Sequence, residues 1–139
     1  MAINVAGQTL TPASSIYADG FPKYAAGSVV FDATAITAAD YWQVNCGFVP
    51  KYFVFSNDTD RTMIEWRDGM AQDSCIKTVA AGTRTLEITG GNHGIVVGST
   101  TNTNALAGSV AGPGQVQVSQ NATLAAILAS KTCRWAAWG

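Results

Sequence analysis

The sequence predicts an all-β protein, an antiparallel jelly-roll-like sandwich of about eight short strands. Short runs of aromatic and β-branched residues recur at spacings of about 8 to 12 residues, with turn-forming residues between them. The best defined runs alternate polar and apolar residues, as strands with one buried face do. Few long helices are possible, and no repeat of about 20 to 50 residues suggests a solenoid or a propeller.

The central part of the chain contains the clearest hairpin signal. Residues 51–56 (KYFVFS) and 62–66 (TMIEW) are strand-like, and residues 57–60 (NDTD) between them are short polar residues that favour tight turns. Alternation puts Met63 and Glu65 on one side of the second run, opposite its other residues. A shift of one residue would exchange the buried and solvent faces, so the register is well specified.

The other strands follow from the same type of run, and together they predict a single sandwich domain over residues 29–139. A chain of 139 residues suits one domain, which buries about two-thirds of its unfolded surface. Residues 122–128 (ATLAAIL) are predicted to form one or two helical turns. The remaining predicted strands are 29–33, 41–46, 75–89, 94–98, 116–119 and 131–138.

Two segments are predicted to reach beyond the sandwich. Residues 1–28 lack the periods of both helix and strand, but they contain more aromatic residues than disordered segments usually do. We therefore expect an extended N-terminal arm whose residues Ile16, Tyr17, Phe21 and Tyr24 contact a neighbouring subunit. Residues 99–114 are small and rich in hydroxyl groups, which predicts an exposed loop. That loop contains Asn102, Asn104 and Pro113.

The composition favours an assembled protein without nucleic acid or membrane as partner. Charged residues make up 12% of the chain, against about 25% in typical soluble proteins, so we expect other subunits to cover part of the surface. The net charge is −1, and the Lys and Arg residues are dispersed rather than grouped into a phosphate-binding stripe. The apolar segments are too short to span a bilayer, and the first residues do not resemble a secretory signal, so we expect synthesis in the cytosol.

No pattern predicts catalysis, a cofactor or a metal site. His93 lies in a glycine-rich turn without a recognisable nucleophile. Cys46, Cys75 and Cys133 are odd in number and far apart, which favours buried thiols over ligands or disulfides. A carboxylate pair such as Glu65 with Glu87 is conceivable for a hydrolase, but any two strand carboxylates would look the same.

The aspartates and tryptophans also have structural interpretations. Asp58, Asp60, Asp68 and Asp73 do not have calcium-loop spacing and are predicted to cap turns. Trp138 is the surface candidate among the tryptophans. The other three, which are predicted to be core residues, are Trp42, Trp66 and Trp135.

Several stretches resemble a group of small structural proteins encoded beside the capsid gene of tailed bacteriophages, the cement or decoration proteins. The resembling stretches are GFVPKYFVFSNDTDRTMIEWRDGM, IKTVAAGTRTLEITGG and SKTCRWAAW, within residues 47–94 and 130–138. The resemblance implies a jelly-roll-like domain, made in the bacterial cytoplasm, that sits on the capsid exterior. It also implies that the domain clamps neighbouring major capsid subunits and forms dimers or trimers at symmetry axes.

An alternative hypothesis is a tail- or fibre-associated virion protein or adhesin. In that case the 99–114 loop and Trp138 would contact the host surface.

Overall fold

The computed structural model describes residues 8–10, 14–16, 23–34, 41–87, 94–98, 105–106, 109–110, 114–119 and 129–139. These residues form β-strands, turns and irregular segments, and none of them is helical. The strands are β1 (Gln8–Leu10), β2 (Ser14–Ile16), β3 (Tyr24–Phe31), β4 (Tyr41–Asn45), β5 (Tyr52–Asn57), β6 (Thr62–Arg67), β7 (Cys75–Thr78), β8 (Arg84–Glu87), β9 (Ile95–Val97), β10 (Ala105–Leu106), β11 (Ser109–Val110), β12 (Gln115–Ser119) and β13 (Thr132–Trp138).

Eleven of the thirteen described strands form two antiparallel sheets that share one core. The large sheet has the order β1-β3-β13-β5-β6-β7-β8, and β2 also pairs with β3. The small sheet has the order β4-β12-β9, and β10 pairs separately with β11. The all-β, two-sheet antiparallel prediction is therefore confirmed for the described residues. Among them, no helix is long and apolar enough to cross a membrane.

Aromatic side chains join the two sheets. Trp42 of the small sheet contacts two rings of the large sheet, with centroid distances of 5.5 Å to Phe55 and 6.1 Å to Trp135. Trp135 also stacks on Phe53 at 6.0 Å. Because buried aromatic residues cover large areas and their paired rings add about 0.5–1.5 kcal/mol each, these contacts fix how the sheets lie on each other.

The predicted central hairpin is present and has the predicted faces. β5 pairs with β6 so that Phe55 lies opposite Ile64, and both side chains are buried in the core. In the turn between them, Asn57 Oδ1 accepts a hydrogen bond from the Asp60 N–H at 3.0 Å, and Asn57 Nδ2 donates to Asp60 Oδ2 at 2.9 Å. The short polar residues therefore stabilise the turn, as their sequence indicated.

The prediction of one strand over residues 75–89 is wrong, because the structure has a second hairpin there. β7 and β8 pair with each other around a turn at residues 79–83. Gly82 adopts a φ of +90° in this turn, a conformation that suits glycine. Its N–H donates to the Val79 carbonyl oxygen at 2.8 Å.

The N-terminal segment joins the large sheet instead of ending before it. The strand predicted over 29–33 begins at Tyr24, so residues 24–28, which we assigned to the arm, belong to β3. β1 and β2 pair with opposite ends of the same edge of β3. Tyr17 and Phe21 lie outside the described residues.

The segment predicted as an exposed loop contains a short strand pair. β10 and β11 lie within residues 99–114, where we predicted no strands. The described residues do not include the three residues singled out in that loop, Asn102, Asn104 and Pro113. The predicted helical turns over 122–128 also lie outside the described residues.

The three cysteines are buried thiols, as predicted. Cys46, Cys75 and Cys133 are each at most 1% exposed. Burial raises the pKa of each thiol from 9.0 to about 12, because it disfavours the thiolate.

We predict that none of these thiols reacts with Ellman's reagent in the folded protein at about pH 8, because the thiolate is the reactive species. In denaturant, all three should react. Absorbance of the released thionitrobenzoate measures both states. Rapid labelling of one equivalent in the native protein would contradict this.

Gly27 gives Trp135 the space that it occupies in the core. The two residues are cross-strand partners, and a Cβ added at Gly27 would lie 2.9 Å from Trp135 Nε1. Trp135 is buried, so its indole has little room to move.

We predict that Gly27→Ala destabilises the fold by about 1–3 kcal/mol, the usual effect of overpacking a core. Urea unfolding followed by tryptophan fluorescence measures the change. Val30→Thr, three residues away at a half-exposed position of the same strand, is the matched control and should change stability much less. Equal stability of Gly27→Ala and wild type would show that the indole is loosely packed.

Candidate interaction surface

The outer face of the large sheet is the face turned away from the core. Along β13, Cys133, Trp135 and Ala137 are buried in the core, so the residues between them point to the opposite side. The same alternation holds along β5, where Phe53 and Phe55 are buried. The strand registers therefore show which side chains share the outer face.

One row of this face is mostly apolar and crosses six neighbouring strands. We call it the central row. With about 4.8 Å between strands, it extends over about 24 Å. Its successive cross-strand partners are Ala26, Ala136, Val54, Glu65, Ile76 and Leu86. Leu86, at the end of the row, is 55% exposed.

Three aromatic residues lie side by side in the next row, at one end of the strands. Trp138 pairs across the strands with Tyr24 on one side and Tyr52 on the other. The ring centroids are 5.5 Å apart for Tyr24 and Trp138 and 5.2 Å apart for Tyr52 and Trp138. Trp138 is 39% exposed, which confirms it as the surface tryptophan. We call these three residues the aromatic cluster.

A groove of about 330 Å³ runs along β5 and β13 from the aromatic cluster. Val54 and Ala136 line its middle, and Ser56 and Arg134 line its other end. Asp58 holds that polar end together, because it accepts hydrogen bonds from Arg134 Nε at 2.5 Å and from the Ser56 hydroxyl at 3.1 Å. The groove thus joins an aromatic end to a charged end.

Glu65 is the one charged residue of the central row, and its carboxylate is covered by its neighbours. The Tyr52 hydroxyl donates to Glu65 Oε2 at 2.6 Å, and Arg67 Nη2 lies 3.3 Å from the same oxygen. Arg84 donates to Oε1. The Glu65 side chain is only 4% exposed, whereas those of Arg67 and Arg84 are 57% and 53% exposed. The Arg67 guanidinium also lies 5.7 Å from the centre of the Tyr52 ring.

These contacts shift two pKa values in opposite directions. Burial alone would raise the pKa of Glu65, but the hydrogen bonds from Tyr52 and Arg67 and the charges of Arg67 and Arg84 outweigh it and lower the pKa. The pKa of Tyr52 is raised, first by burial and then by its hydrogen bond to Glu65 and the negative charge of that carboxylate. Both shifts favour a neutral phenol bonded to an ionised carboxylate.

Other acidic residues have structural partners. Asp60 pairs with Lys131 at 3.1 Å, and Glu87 pairs with Lys77 at 3.5 Å. Asp73 Oδ1 accepts a hydrogen bond from the Gly94 N–H at 3.1 Å. Within the part of the chain that the structure describes, no group of three or more His, Cys, Asp or Glu residues could hold a metal ion.

Comparison of the chain with protein-family models, with curated proteins and with solved structures returned no match.

Two of the four arm residues that were predicted to contact a neighbouring subunit lie within the described strands. Tyr24 belongs to the aromatic cluster, and the backbone of Ile16 pairs with that of Tyr24 through β2. Tyr17, Phe21 and His93 lie outside the described residues.

Sequence reasoning missed the network around Glu65. The sequence did predict the face on which Glu65 lies, because alternation along β6 puts it opposite the core residues Ile64 and Trp66. It did not predict the residues that Glu65 contacts. The contact with Arg84 depends on the β6–β7 and β7–β8 pairings, 19 residues along the chain.

We predict that Glu65→Gln destabilises the protein by about 2 kcal/mol at about pH 7, because two guanidinium groups lose their buried carboxylate. The pKa of Glu65 in the folded protein lies below its ordinary value of 4.5. The stabilisation by its carboxylate is therefore present above pH 4.5 and is lost as the pH falls through the folded-state pKa. The difference in unfolding free energy between variant and wild type should therefore shrink in acid.

Urea unfolding over a range of pH measures this difference. Glu87→Gln, which breaks a single ion pair, is the matched control and should cost less, because the Glu87 side chain is 19% exposed and that of Glu65 only 4%. A difference for Glu65→Gln that stays constant into strong acid would contradict the assignment.

Proposed function

We propose that the protein is a tailed-bacteriophage capsid decoration or cement protein that binds the outer surface of the head and clamps neighbouring major capsid subunits. The observation that carries the proposal is the apolar central row beside the aromatic cluster on the outer face, where Leu86 and Trp138 are exposed. We also propose that the domain is a jelly-roll-like sandwich with an extended N-terminal arm. The stretches quoted above as resembling decoration proteins support the same function.

The exposed apolar residues support a binding role for this face. Among the described residues, four large hydrophobic residues are exposed. Val30, Leu86 and Trp138 share the outer face, and Val49 lies between β4 and β5. Leu86 ends the central row and Trp138 belongs to the aromatic cluster, so these two exposed residues extend a continuous set of apolar side chains. A contiguous apolar set indicates a contact surface more strongly than single exposed residues do.

The kinds of residue on this face are those that dominate protein interfaces. Trp, Tyr and Arg are enriched among the residues that contribute most to binding. The outer face presents all three types on paired strands, which hold the backbone in fixed relative positions. Such a backbone loses little conformational entropy on binding.

Clamping would require more than one contact for each subunit. In our proposal, the outer face provides one contact, and the arm residues Ile16, Tyr17 and Phe21 provide another. Two modest contacts held on one body bind more tightly than either alone, because the second forms at high effective concentration. A dimer or trimer at a capsid symmetry axis would add further contacts.

The aromatic cluster also supports the alternative of a host-surface adhesin. An exposed tryptophan beside a groove with a charged end could stack on a sugar ring and bond its hydroxyl groups. Copy number separates the two functions. Quantitative mass spectrometry of purified particles should find this chain at near-stoichiometric abundance relative to the major capsid protein if it is cement. A handful of copies per particle would favour the adhesin.

We predict that Trp138→Ala weakens binding to heads that lack the protein about tenfold or more, because truncating a central aromatic residue costs about 2 kcal/mol. Co-sedimentation with heads purified from a phage deleted for this gene measures the affinity. Val49→Ser, also at an exposed apolar position but off the outer face, is the control and should bind as wild type does.

Thermal unfolding would establish that both variants are folded. Equal binding by Trp138→Ala and wild type would show that the aromatic cluster is not the capsid contact. Failure of the wild-type protein to bind heads would overturn the proposed function.

A further inference from the structure

The charged residues are concentrated on the large sheet. The strands of the small sheet contain no Asp, Glu, Lys or Arg. On the described strands of the outer face, by contrast, three arginines occur with a single carboxylate, that of Glu65. The arginines are Arg67, Arg84 and Arg134.

Among the described strand residues of this face, the ion pairs leave an excess positive charge. Arg134 is paired with Asp58, so those two charges balance. Arg67 and Arg84 share the one carboxylate of Glu65, which balances only one of them. The side chains of Arg67 and Arg84 both remain more than half exposed, so they have surface available to a further partner.

The excess positive charge lies beside the apolar central row, so a partner that covers the row also covers the charge. Arg84 and Leu86 lie on the same side of β8, and Leu86 pairs with Ile76 in the central row. A partner that covers this apolar row also removes water from the neighbouring guanidinium groups. Burying an unpaired charge is costly, so a stable complex requires an anion from the partner.

We propose that the partner segment that docks on the outer face is acidic, with a carboxylate that pairs with Arg84 and Arg67 and aliphatic side chains that cover Ile76 and Leu86. This inference rests on the proposed function and names the chemistry of the capsid surface that the face recognises. Charge complementarity supports a protein partner, because one uncompensated charge beside an apolar row matches a single carboxylate. A nucleic-acid backbone would require a series of free cations.

The test measures binding to heads from the gene-deleted phage over a range of salt, from about 50 to about 500 mM NaCl. We expect wild-type affinity to fall about tenfold over this range, because salt screens the new ion pair. Arg84→Gln should bind about tenfold more weakly than wild type in low salt, and its affinity should depend less on salt. Arg84→Lys, which keeps the charge, should recover part of the loss.

Arg61→Gln is the matched control, because it removes the same charge from an exposed turn at the far end of the β5–β6 hairpin. It should bind as wild type does. Thermal unfolding of each variant checks that the fold is intact, and Arg67→Gln provides a second variant if Arg84→Gln fails to fold.

The possible outcomes separate this inference from the proposed function. Tight binding by wild type that is independent of salt and unchanged in Arg84→Gln would overturn the acidic partner and leave the decoration function in place. Equal weakening of binding by Arg61→Gln would also overturn the acidic partner, because the attraction would then be non-specific. A competition experiment tests the same point: polyglutamate added to the binding mixture should displace the protein from heads more strongly than heparin does. Equal competition by heparin and polyglutamate would overturn the acidic partner. If wild type does not bind heads at all, the proposed function itself fails.

Discussion

The insertion of β13 between β3 and β5 is the constraint on which the rest of the structure depends. This one strand hydrogen-bonds to an N-terminal strand on one edge and a central strand on the other, so it joins distant parts of the chain into one sheet. Its inward residues, Cys133, Trp135 and Ala137, are buried in the core. Without β13, β3 and β5 would each expose an unpaired edge, and Trp42 would lose one of its two ring contacts with the large sheet.

The strict alternation of β13 also determines the outer face. Each residue that points into the core is followed by one that points away, so the order of residues in this strand fixes both surfaces together. Ala136 and Trp138 therefore lie between their partners on β3 and β5 and complete the central row and the aromatic cluster. The same geometry places Glu65 on the open side of the sheet, where arginine and tyrosine side chains cover it instead of the core.

Local patterns predicted the parts of this fold that depend on neighbouring residues. Alternation and a turn of short polar residues were enough for the β5–β6 hairpin, and the position of Trp138 at the end of the last predicted strand separated it from the buried tryptophans. The turn at 79–83 was missed because its Ala-Ala-Gly sequence contains only one strong turn residue. The order of strands in the sheet and the contact of Arg84 with Glu65 are long-range pairings, which no local period encodes. The aromatic cluster was only partly foreseen for the same reason, since it combines residues 24, 52 and 138.

The position of β13 has a consequence for the timing of biosynthesis. During translation the chain emerges at about 5–20 residues per second, and β3 and β5 are made well before β13. Until β13 has been synthesised and has inserted, Tyr24 and Tyr52 have no tryptophan between them, and the central row lacks Ala136. The outer face therefore forms as a unit only when the sheet closes, so a nascent or truncated chain does not present it.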